Sequence, residues 1–524
     1  MNSILRIATR GSALALWQAN HIASKLHALG IKTELKIIKT QGDKIQHLSL
    51  EKLEGKGFFT KEIEDALLNN EADLAVHSHK DLPTESHPDL MIAAVTDRED
   101  PSELLLIRKE CVAPKQKFSL KKNAVVGTSS SRRKSQLLAF RSDIELKDLR
   151  GNVPTRVDKL RQGDYDAILI AAAGVERLEL DITDLHAEKL SPKEFIPAPA
   201  QGVLALQIRK GDNELFDKLQ SINQPEVAQT IGIERKVLNL FQGGCQMPVG
   251  AYCEYDEETE MYKTWVSKSL TWDQLPVGIY TESKNAESLA EKIVSKIRSI
   301  TPKKIFITRN IKPGDYFHRV LSQYGFSVEG KSLIEMKPVP VRSIPITDWI
   351  FFSSKHAVKF FFLQNPELKD QKIGCIGKAT AEAIRKYGSR ADFIGYSTDT
   401  KMTGKQFASR VGSGTVLFPM AKGSMRSIQN GFVKSEQTID LVVYETLKTE
   451  VAIQTSDFEI FLFTSPSNVE AFFEKNKLNA TQKVIAMGEA TASSLKKSGI
   501  LHPALPDAFD DVALTRAVFN ASSL

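Results

Sequence analysis

The strongest constraint on the fold is an internal repeat in the second half of this 524-residue chain. FFSSKHAVKFFF (351–362) matches LFTSPSNVEAFF (462–473), and IGCIGKATAEAIRKYG (373–388) matches IAMGEATASSLKKSG (485–499). When the segments are aligned on their shared phenylalanine and glycine, both matches have an offset of 111 residues. The repeat predicts two similar α/β domains, each presenting a strand-to-helix loop to a shared cleft. The alternative is a duplicated scaffold without a ligand.

The first half alternates short β-rich runs with helical patterns, which favours α/β units with mainly parallel pairing. The predicted elements are strand 4–9, helix 12–29, strand 33–40, helix 61–69, strand 73–78 and a buried strand 167–174. Residues 220–300 combine an alternating strand pattern with a glycine turn, and they predict a small α+β domain. SITPKK (299–304) is a predicted linker.

Composition argues against several classes of protein, namely nucleic-acid-binding, membrane-spanning, secreted and metal-binding proteins. The net charge of +6 is small, and no long basic run is present, so we expect no nucleic-acid partner. No apolar run is long enough to predict a membrane span, and the first residues lack the features of a secretion signal. With four cysteines and no CxxC pair, the chain is predicted to be cytoplasmic and without a metal site.

Three predicted strand-to-helix junctions place arginine beside hydroxyl or amide groups. They are residues 9–12, 128–133 and 150–156. Serine and threonine can cap a helix, and Pro154 suits a first helical turn. The free N–H groups at a helix start favour an anion, and arginine binds carboxylates bidentately. One such loop is ordinarily a solvated arginine, whereas three predict a ligand with several carboxylates or phosphates.

Two further segments offer reactive groups. Cys245 lies in QGGCQMPVG (242–250), where two glycines permit a sharp turn, although a partly buried free thiol is the simpler explanation. Asp81 in HSHKDLP (77–83) follows a buried strand and could move protons or stabilise a cation, with Lys80 favouring its ionised form. The alternative is an ordinary aspartate in a turn before proline. We interpret the histidines of this segment, His77 and His79, as structural or positioning residues.

Together these motifs resemble porphobilinogen deaminase, also called hydroxymethylbilane synthase, over about residues 1–300. The matching segments are IATRGSALALWQA, EGKGFF, HSHKDLP, GTSSSRR, LRGNVPTR and QGGCQMP. The resemblance implies a dipyrromethane cofactor attached to Cys245 through a thioether. It also implies that Asp81 is the catalytic carboxylate, which assists loss of ammonia from porphobilinogen and stabilises the azafulvenium cation. Lys80 acts beside it.

The same resemblance implies a set of residues that bind the acetate and propionate groups of the cofactor and the growing chain. They are Arg10, Ser12, Lys80, Ser130, Arg132, Arg133, Arg150, Arg156 and Arg177, and Asp81 is implied as a further contact of the cofactor. Lys56 and Phe59 fall on the active-site loop, and Gln18 lies close to the passage of the chain. A rival interpretation is a solute-binding protein, because paired α/β domains with an anion-binding cleft also suit a receptor.

The second half resembles uroporphyrinogen-III synthase. The motifs are ITRN, FFSSKHAV, IGKATAEA, VVYET, FTSPSNVEAF and MGEATASSL, together with the repeat. The implied reaction closes hydroxymethylbilane into a macrocycle with inversion of the last ring, largely by positioning the substrate. The implied contacts are Ser353, Ser354, Lys355, Thr464, Ser465, Ser467 and Thr491. Tyr444 is the candidate catalytic residue near the expected hinge, and a packed aromatic is the alternative.

The predicted fold class is α/β. The N-terminal half is expected to contain two periplasmic-binding-protein-like α/β domains and a small α+β domain. The C-terminal half would contain two similar α/β domains around a cleft. The predicted deaminase-like unit 1–300 divides into 1–98 with 199–216, 102–194 and 220–300. The synthase-like unit 301–524 divides into 301–338 with 448–524, and 341–443.

The sequence therefore predicts a bifunctional tetrapyrrole biosynthesis enzyme. It would join four porphobilinogen molecules into hydroxymethylbilane with release of ammonia, and then form uroporphyrinogen III. An alternative is an active deaminase whose degenerate second half only binds product. The sequence does not determine the oligomeric state, and a monomer is the working expectation.

Overall fold

The computed structural model describes residues 4–40, 60–85, 87–242, 247–395 and 400–523. Within these residues the strands form five sheets flanked by helices, so the predicted α/β class is confirmed. None of the helices in the described ranges is long and apolar enough to cross a membrane.

Thirteen strands of the described chain lie before residue 300. They are β1 Leu5–Arg10, β2 Thr33–Ile38, β3 Leu74–Ser78, β4 Leu90–Val95, β5 Glu103–Arg108, β6 Val125–Gly127, β7 Glu145–Lys147, β8 Ala167–Ala171, β9 Leu185–Leu190, β10 Leu204–Arg209, β11 Val249–Asp256, β12 Met261–Lys268 and β13 Val277–Ser283. The helices in this part are Ala13–Ala28, Lys61–Leu68, Ser131–Phe140, Val153–Arg161, Ala172–Arg177, Asn213–Leu219, Pro225–Leu240 and Leu289–Arg298.

The first two sheets have the same plan. Their strand orders are β2-β1-β3-β10-β4 and β7-β6-β8-β5-β9. In each, four strands run in the same direction, while β10 and β5 run antiparallel to both of their neighbours. The chain crosses between these sheets after β4 and again before β10. The parallel strands end at one edge of each sheet, which is where the three arginine-bearing loops emerge.

The prediction of one strand over 167–174 is wrong at its end. Strand β8 stops at Ala171, and residues 172–177 form a short helix. Alanine has the highest intrinsic helix propensity, so an apolar alanine run does not by itself favour a strand. The third sheet is an antiparallel meander, β11-β12-β13, packed against helices 225–240 and 289–298.

Ten strands of the described chain follow residue 300. They are β14 Lys304–Ile307, β15 Ser327–Gly330, β16 Ile334–Pro338, β17 Trp349–Phe352, β18 Lys372–Ile376, β19 Phe393–Gly395, β20 Val416–Ala421, β21 Thr438–Lys448, β22 Ile460–Phe463 and β23 Lys483–Ala486. The helices are Tyr316–Gln323, Lys355–Phe362, Gly377–Arg385, Thr400–Val411, Pro466–Phe473, Glu489–Lys497 and Asp511–Ser522.

These strands form a parallel sheet, β15-β14-β22-β23, and a larger sheet, β16-β21-β20-β17-β18-β19, in which β16 alone is antiparallel to its neighbour. The repeated segments occupy equivalent places, because β17 precedes helix 355–362 as β22 precedes helix 466–473. Their helix caps also match: Ser354 has φ −160° and ψ 157°, and Ser465 has φ −161° and ψ 158°.

Candidate active sites

The three predicted anion loops each end in a capped helix. The capping side chains are Ser12, Ser130 and Asn152, whose oxygens accept from the backbone N–H of Ala15, Arg133 and Thr155 at 3.3, 3.4 and 3.0 Å. Pro154 lies in the first turn of its helix, as predicted. The third cap is an asparagine, although serine and threonine were the expected caps. Each helix start keeps unbonded N–H groups that favour a carboxylate.

Lys80 and Asp81 lie on a 3₁₀ turn, His79–Asp81, directly after β3. Asp81 is exposed, whereas Lys80 is half-buried and donates to Gln201 Oε1 at 3.1 Å. Burial lowers the pKa of Lys80 to about 8, since the attraction of Asp81 only partly offsets the loss of water and Arg133 opposes it. The turn therefore places an ammonium group whose pKa is close to neutral pH beside an exposed carboxylate.

The structure brings this turn towards the loops of the second sheet. Burial, together with the nearby charges of Arg133 and Arg150, lowers the pKa of Arg156 to about 10, while Asp81 acts in the opposite direction. The charge of Asp81 therefore acts on Arg156, which comes from the other sheet. Arg156 is oriented by donating to the carbonyl of Gly151 at 2.7 Å.

Arg132 and Arg133 are less available than the sequence suggests, because both bind Glu103. Their guanidinium groups donate to the two carboxylate oxygens of Glu103, each at 2.6 Å. They also donate to the carbonyls of Ile196 and Leu169 at 2.9 Å each. Burial alone would raise the pKa of Glu103, but Arg133 and Arg132 outweigh it and lower the pKa to about 2. Arg133 keeps one buried group, Nε, without a hydrogen bond.

Glu103 is a residue of the site that sequence reasoning missed. It has no exposed surface, and it lies at the first position of β5. One signal was available: it is the acidic residue that begins the apolar run ELLLI. A carboxylate at the start of a buried strand needs a partner.

Arg177 is also engaged within the protein. It donates to Glu99 Oε2 at 2.7 Å and to the carbonyl of Gly202 at 3.0 Å, and its guanidinium lies 5.6 Å from the ring centre of Trp17. Glu99 and Gly202 belong to the two segments that cross between the first two sheets. Arg177 therefore lies at this crossing, where its role as a substrate contact remains a prediction.

Residues of the first loop lie at the carboxyl end of β1. Arg10 is half-buried there, and Ser12 caps the helix that follows. Gln18, on the same helix, is buried and donates to Ser78 Oγ at 2.8 Å, which joins the helix to the end of β3. The neighbouring His77 is buried and bonded to Gln207 at 3.0 Å.

Burial lowers the pKa of His77 to about 4 and that of His79 to about 3, so both are neutral at pH 7. This agrees with their interpretation as structural residues. Across the described ranges, no group of three or more His, Cys, Asp or Glu side chains could hold a metal ion.

Three predicted site residues, Cys245, Lys56 and Phe59, lie outside the described residues. The helix before Cys245, 225–240, is bonded by Arg235 to the turn His79–Asp81 and the residues after it. Arg235 donates to the carbonyls of His79 and Pro83 at 3.0 and 2.5 Å.

In the second half, several predicted contacts have structural roles. Ser354 and Ser465 accept from the backbone N–H groups of Ala357 and Asn468 at 3.1 and 3.3 Å, so both hydroxyls cap helices. Thr464 donates to the carbonyl of Thr308 at 2.9 Å. The others divide by exposure: Ser353 and Lys355 are exposed, Ser467 is half-buried and Thr491 is buried.

The predicted contacts fall on two different sheets of this half. Tyr444 lies in β21 and is only 9% exposed. Its ring stacks on Phe360 with centres 5.0 Å apart, which agrees with the packed aromatic that was the alternative to a catalytic role.

Two family models match the chain. "Porphobilinogen deaminase, dipyromethane cofactor binding domain" matches residues 5–217, and "Uroporphyrinogen-III synthase HemD" matches residues 315–516. A porphobilinogen deaminase from a Nitratiruptor species is 45% identical over 258 residues, which are 49% of this chain and 81% of that protein. The Sulfurimonas denitrificans porphobilinogen deaminase is 40% identical over 295 residues, 56% of this chain and 93% of that protein.

Solved structures resemble parts of the chain only distantly. A mutant uroporphyrinogen III synthase from Thermus thermophilus has 16% identity and a TM-score of 0.32, covering 42% of this chain and 98% of that chain. The Helicobacter pylori uroporphyrinogen-III synthetase has 18% identity and a TM-score of 0.32, covering 42% of this chain and 99% of that chain. Likenesses this weak carry no argument about function.

Proposed function

The chain belongs to the porphobilinogen deaminase family and carries a uroporphyrinogen-III synthase domain in its second half, and from this premise we propose how its residues serve the two reactions. Both domains on one chain make a bifunctional tetrapyrrole biosynthesis enzyme, a hydroxymethylbilane synthase and a uroporphyrinogen-III synthase. The families imply porphobilinogen and hydroxymethylbilane as substrates. The domain boundaries given above, a monomeric state and a cytoplasmic location remain part of this proposal.

Asp81 is the catalytic carboxylate of the first reaction. The observation that carries this assignment is its position, exposed at a strand end with its charge acting on Arg156 of the second sheet. Loss of ammonia leaves positive charge on the pyrrole substrate, and a fixed carboxylate stabilises that charge in the transition state. Lys80 and Arg156 bind the substrate's carboxylates around it.

The donor set fits a dipyrromethane, whose acetate and propionate groups are anionic at neutral pH. Lys80, Arg150 and Arg156 supply cations, and the helix starts at residues 131 and 153 supply N–H groups. The buried Nε of Arg133 is a further donor that lacks a partner among the residues that the structure describes. The cofactor, when bound, would provide the pyrrole end on which the product chain grows. Cys245 would hold it covalently.

The first experiment is the intact mass of the full-length protein, purified without denaturant, followed by peptide mapping. The expected result is an added mass of one dipyrromethane unit on Cys245, absent in Cys245→Ser. Cys111→Ala is the matched control, because Cys111 is a buried cysteine in the core of the second sheet, and it should keep the added mass. An unmodified Cys245 thiol in the wild-type protein would contradict the attachment.

The same preparation tests Asp81. Asp81→Asn preserves the side-chain shape but removes its charge, so we expect the added mass to remain while porphobilinogen turnover falls by about 10²–10³-fold. Turnover within tenfold of wild type would remove Asp81 from the catalytic role.

For the second half we propose that Ser353, Lys355 and Ser467 contact hydroxymethylbilane, because they lie where a strand passes into a helix and are not fully buried. Positioning of the flexible substrate would carry much of the catalysis. The test is isomer analysis of the product formed by the full chain from porphobilinogen. Predominance of the type III isomer supports an active synthase, and the type I isomer alone would indicate a degenerate half that only binds product.

A further inference from the structure

The two halves of the chain share one hydrophobic core. Helix 511–522 packs on β13, and Leu514 and Phe519 from this helix join the same cluster as Ile279 and Ile293 of the first half. A continuous apolar core resembles the inside of a domain more than a flexible tether between two domains. The halves are therefore docked on each other.

Polar contacts fix the register of this docking. Asn520 Nδ2 donates to the carbonyl of Tyr280 at 2.8 Å, and Trp265 Nε1 donates to Asp507 Oδ2 at 2.7 Å. Arg516 pairs with Asp507, with both side chains at most 5% exposed. Because buried charges are stable only with their partners in place, the network tolerates little displacement.

The side chain of Arg516 also packs directly against Gly278, which has no side chain to exclude it. A Cβ atom on Gly278 would lie 3.0 Å from Arg516 Cγ, so a larger residue there would force the arginine to move. Arg516 Nη1 reaches beyond the third sheet and donates to the carbonyl of Lys193 at 3.1 Å. The second half thus contacts the chain that leads out of the second sheet.

A second contact reaches helix 131–140, whose first turn carries Arg132 and Arg133. Arg319, on helix 316–323, donates to the carbonyl of Leu138 at 2.7 Å and to that of Ala139 at 3.4 Å. Next to it, Tyr316 stacks on Phe140 with ring centres 5.1 Å apart. The second half therefore holds the end of this helix that lies opposite the anion loop.

The contact of Arg319 stabilises helix 131–140 because the C-terminal end of a helix carries partial negative charge. The last carbonyls of a helix carry partial negative charge and have no partners within the helix, and a cation there stabilises the whole helix. Helix 131–140 has no basic residue in its own last turn, and Arg141, which follows it, is paired with Asp143, so Arg319 supplies that cation. Burial lowers the pKa of Arg319, which indicates that water screens it poorly.

We propose that Arg319 of the synthase half is a positioning residue for the deaminase site, because it caps helix 131–140 and so fixes the arginines and N–H groups at the other end. This inference rests on the proposed function of that site. The synthase half is then a structural part of the deaminase and not only a neighbour that receives its product.

The test uses full-length Arg319→Ala, assayed for porphobilinogen consumption. The groups that Arg319 positions are proposed to bind carboxylates of the cofactor and the growing chain, which do not react, so their displacement raises KM more than it changes kcat. We expect KM to rise about three- to tenfold, with kcat within twofold of wild type. Arg319→Lys keeps a cation and should recover most of the affinity. The matched control is Asn520→Ala, which loosens the same docking surface without touching helix 131–140.

A KM within twofold of wild type in Arg319→Ala would overturn the proposal, as would an equal rise in Asn520→Ala. If Arg319→Ala does not fold, Arg319→Met keeps the volume, and hydrogen exchange of the amides of residues 131–140 decides. Exchange should be faster in Arg319→Met than in Asn520→Ala, and equal rates would overturn the proposal. Failure of the proposed function is a different outcome, in which the wild-type chain does not consume porphobilinogen.

Discussion

Replacing Glu103 by glutamine tests whether the arginines of the deaminase site are held by a buried carboxylate. In the structure each carboxylate oxygen accepts from one guanidinium, and the glutamate has no exposed surface. Glutamine keeps the shape but presents an NH₂ donor to one of the two arginines. Arg132 and Arg133 would then be adjacent buried cations without a counter-charge.

Two estimates give the destabilisation caused by Glu103→Gln. Removing one partner from a buried ion pair costs about 3–5 kcal/mol in measured cases. Independently, the pKa of Glu103 falls from 4.5 to about 2 in the fold, and at about 1.4 kcal/mol per pKa unit this corresponds to roughly 3 kcal/mol. Both estimates predict local destabilisation of about 3 kcal/mol at pH 7.

Hydrogen exchange is the suitable assay, because the chain has several domains and one unfolding free energy is not defined for it. Amide protection in β5 and β8 should fall by about two orders of magnitude in Glu103→Gln. Glu99→Gln is the matched control: Glu99 also pairs with an arginine, Arg177, but is 33% exposed. Pairs at that exposure contribute about 0–1 kcal/mol, so protection should change by less than tenfold.

The pH dependence has a definite sign. The pKa of Glu103 is depressed in the fold, so its contribution to stability is complete above pH 4.5 and is lost as the pH falls towards about 2. The difference between wild type and Glu103→Gln should be constant from pH 6 to 8 and narrow below 4.5. Equal protection of the two proteins at pH 7 would refute the reasoning.

Two further predictions concern the same half of the chain. Because the pKa of Lys80 is about 8, kcat/KM for porphobilinogen should fall as the pH rises through 8. In Lys80→Arg the fall should move beyond pH 10, since arginine stays protonated there. An unchanged pH profile in this variant would exclude Lys80 as the titrating group. Gly202→Ala should lower the hydrogen-exchange protection of β10 by more than Gly211→Ala and cost about 2 kcal/mol or more locally. Both glycines have positive φ, at 92° and 94°, but a Cβ on Gly202 would lie 2.4 Å from the carbonyl oxygen of Glu99, whereas none would meet an atom within 4 Å at Gly211.

Local structure followed from local sequence signals. The capped helix starts at Ser12 and Ser130 and the proline in the first turn after Asn152 are set by residues within four positions of each other. The repeat likewise predicted two strand-to-helix units, and their caps at Ser354 and Ser465 have the same conformation. That Asp81 and the arginines of the other sheet serve one site was implied by the family resemblance, and it stays a prediction.

The partners of the site residues could not be predicted in the same way. Glu103 is 29 residues from Arg132, and Gln201 is 121 residues from Lys80. Such pairs depend on strand order and register, and β5 and β10 are the strands that run antiparallel in sheets expected to be mainly parallel. A motif marks arginine as a possible ligand contact, but only the fold shows whether an internal carboxylate already binds it.

The shared core of the two halves has a consequence for synthesis of the chain on the ribosome. Asn520 lies 240 residues after Tyr280, the residue to which it binds. At about 5–20 residues per second, roughly 10 to 50 seconds pass between the appearance of β13 and that of the helix that covers it. During this interval Ile279 and its neighbours lack part of their apolar cover. Ribosomes that stall in the synthase half would therefore release chains whose deaminase part is a target for chaperones and proteases.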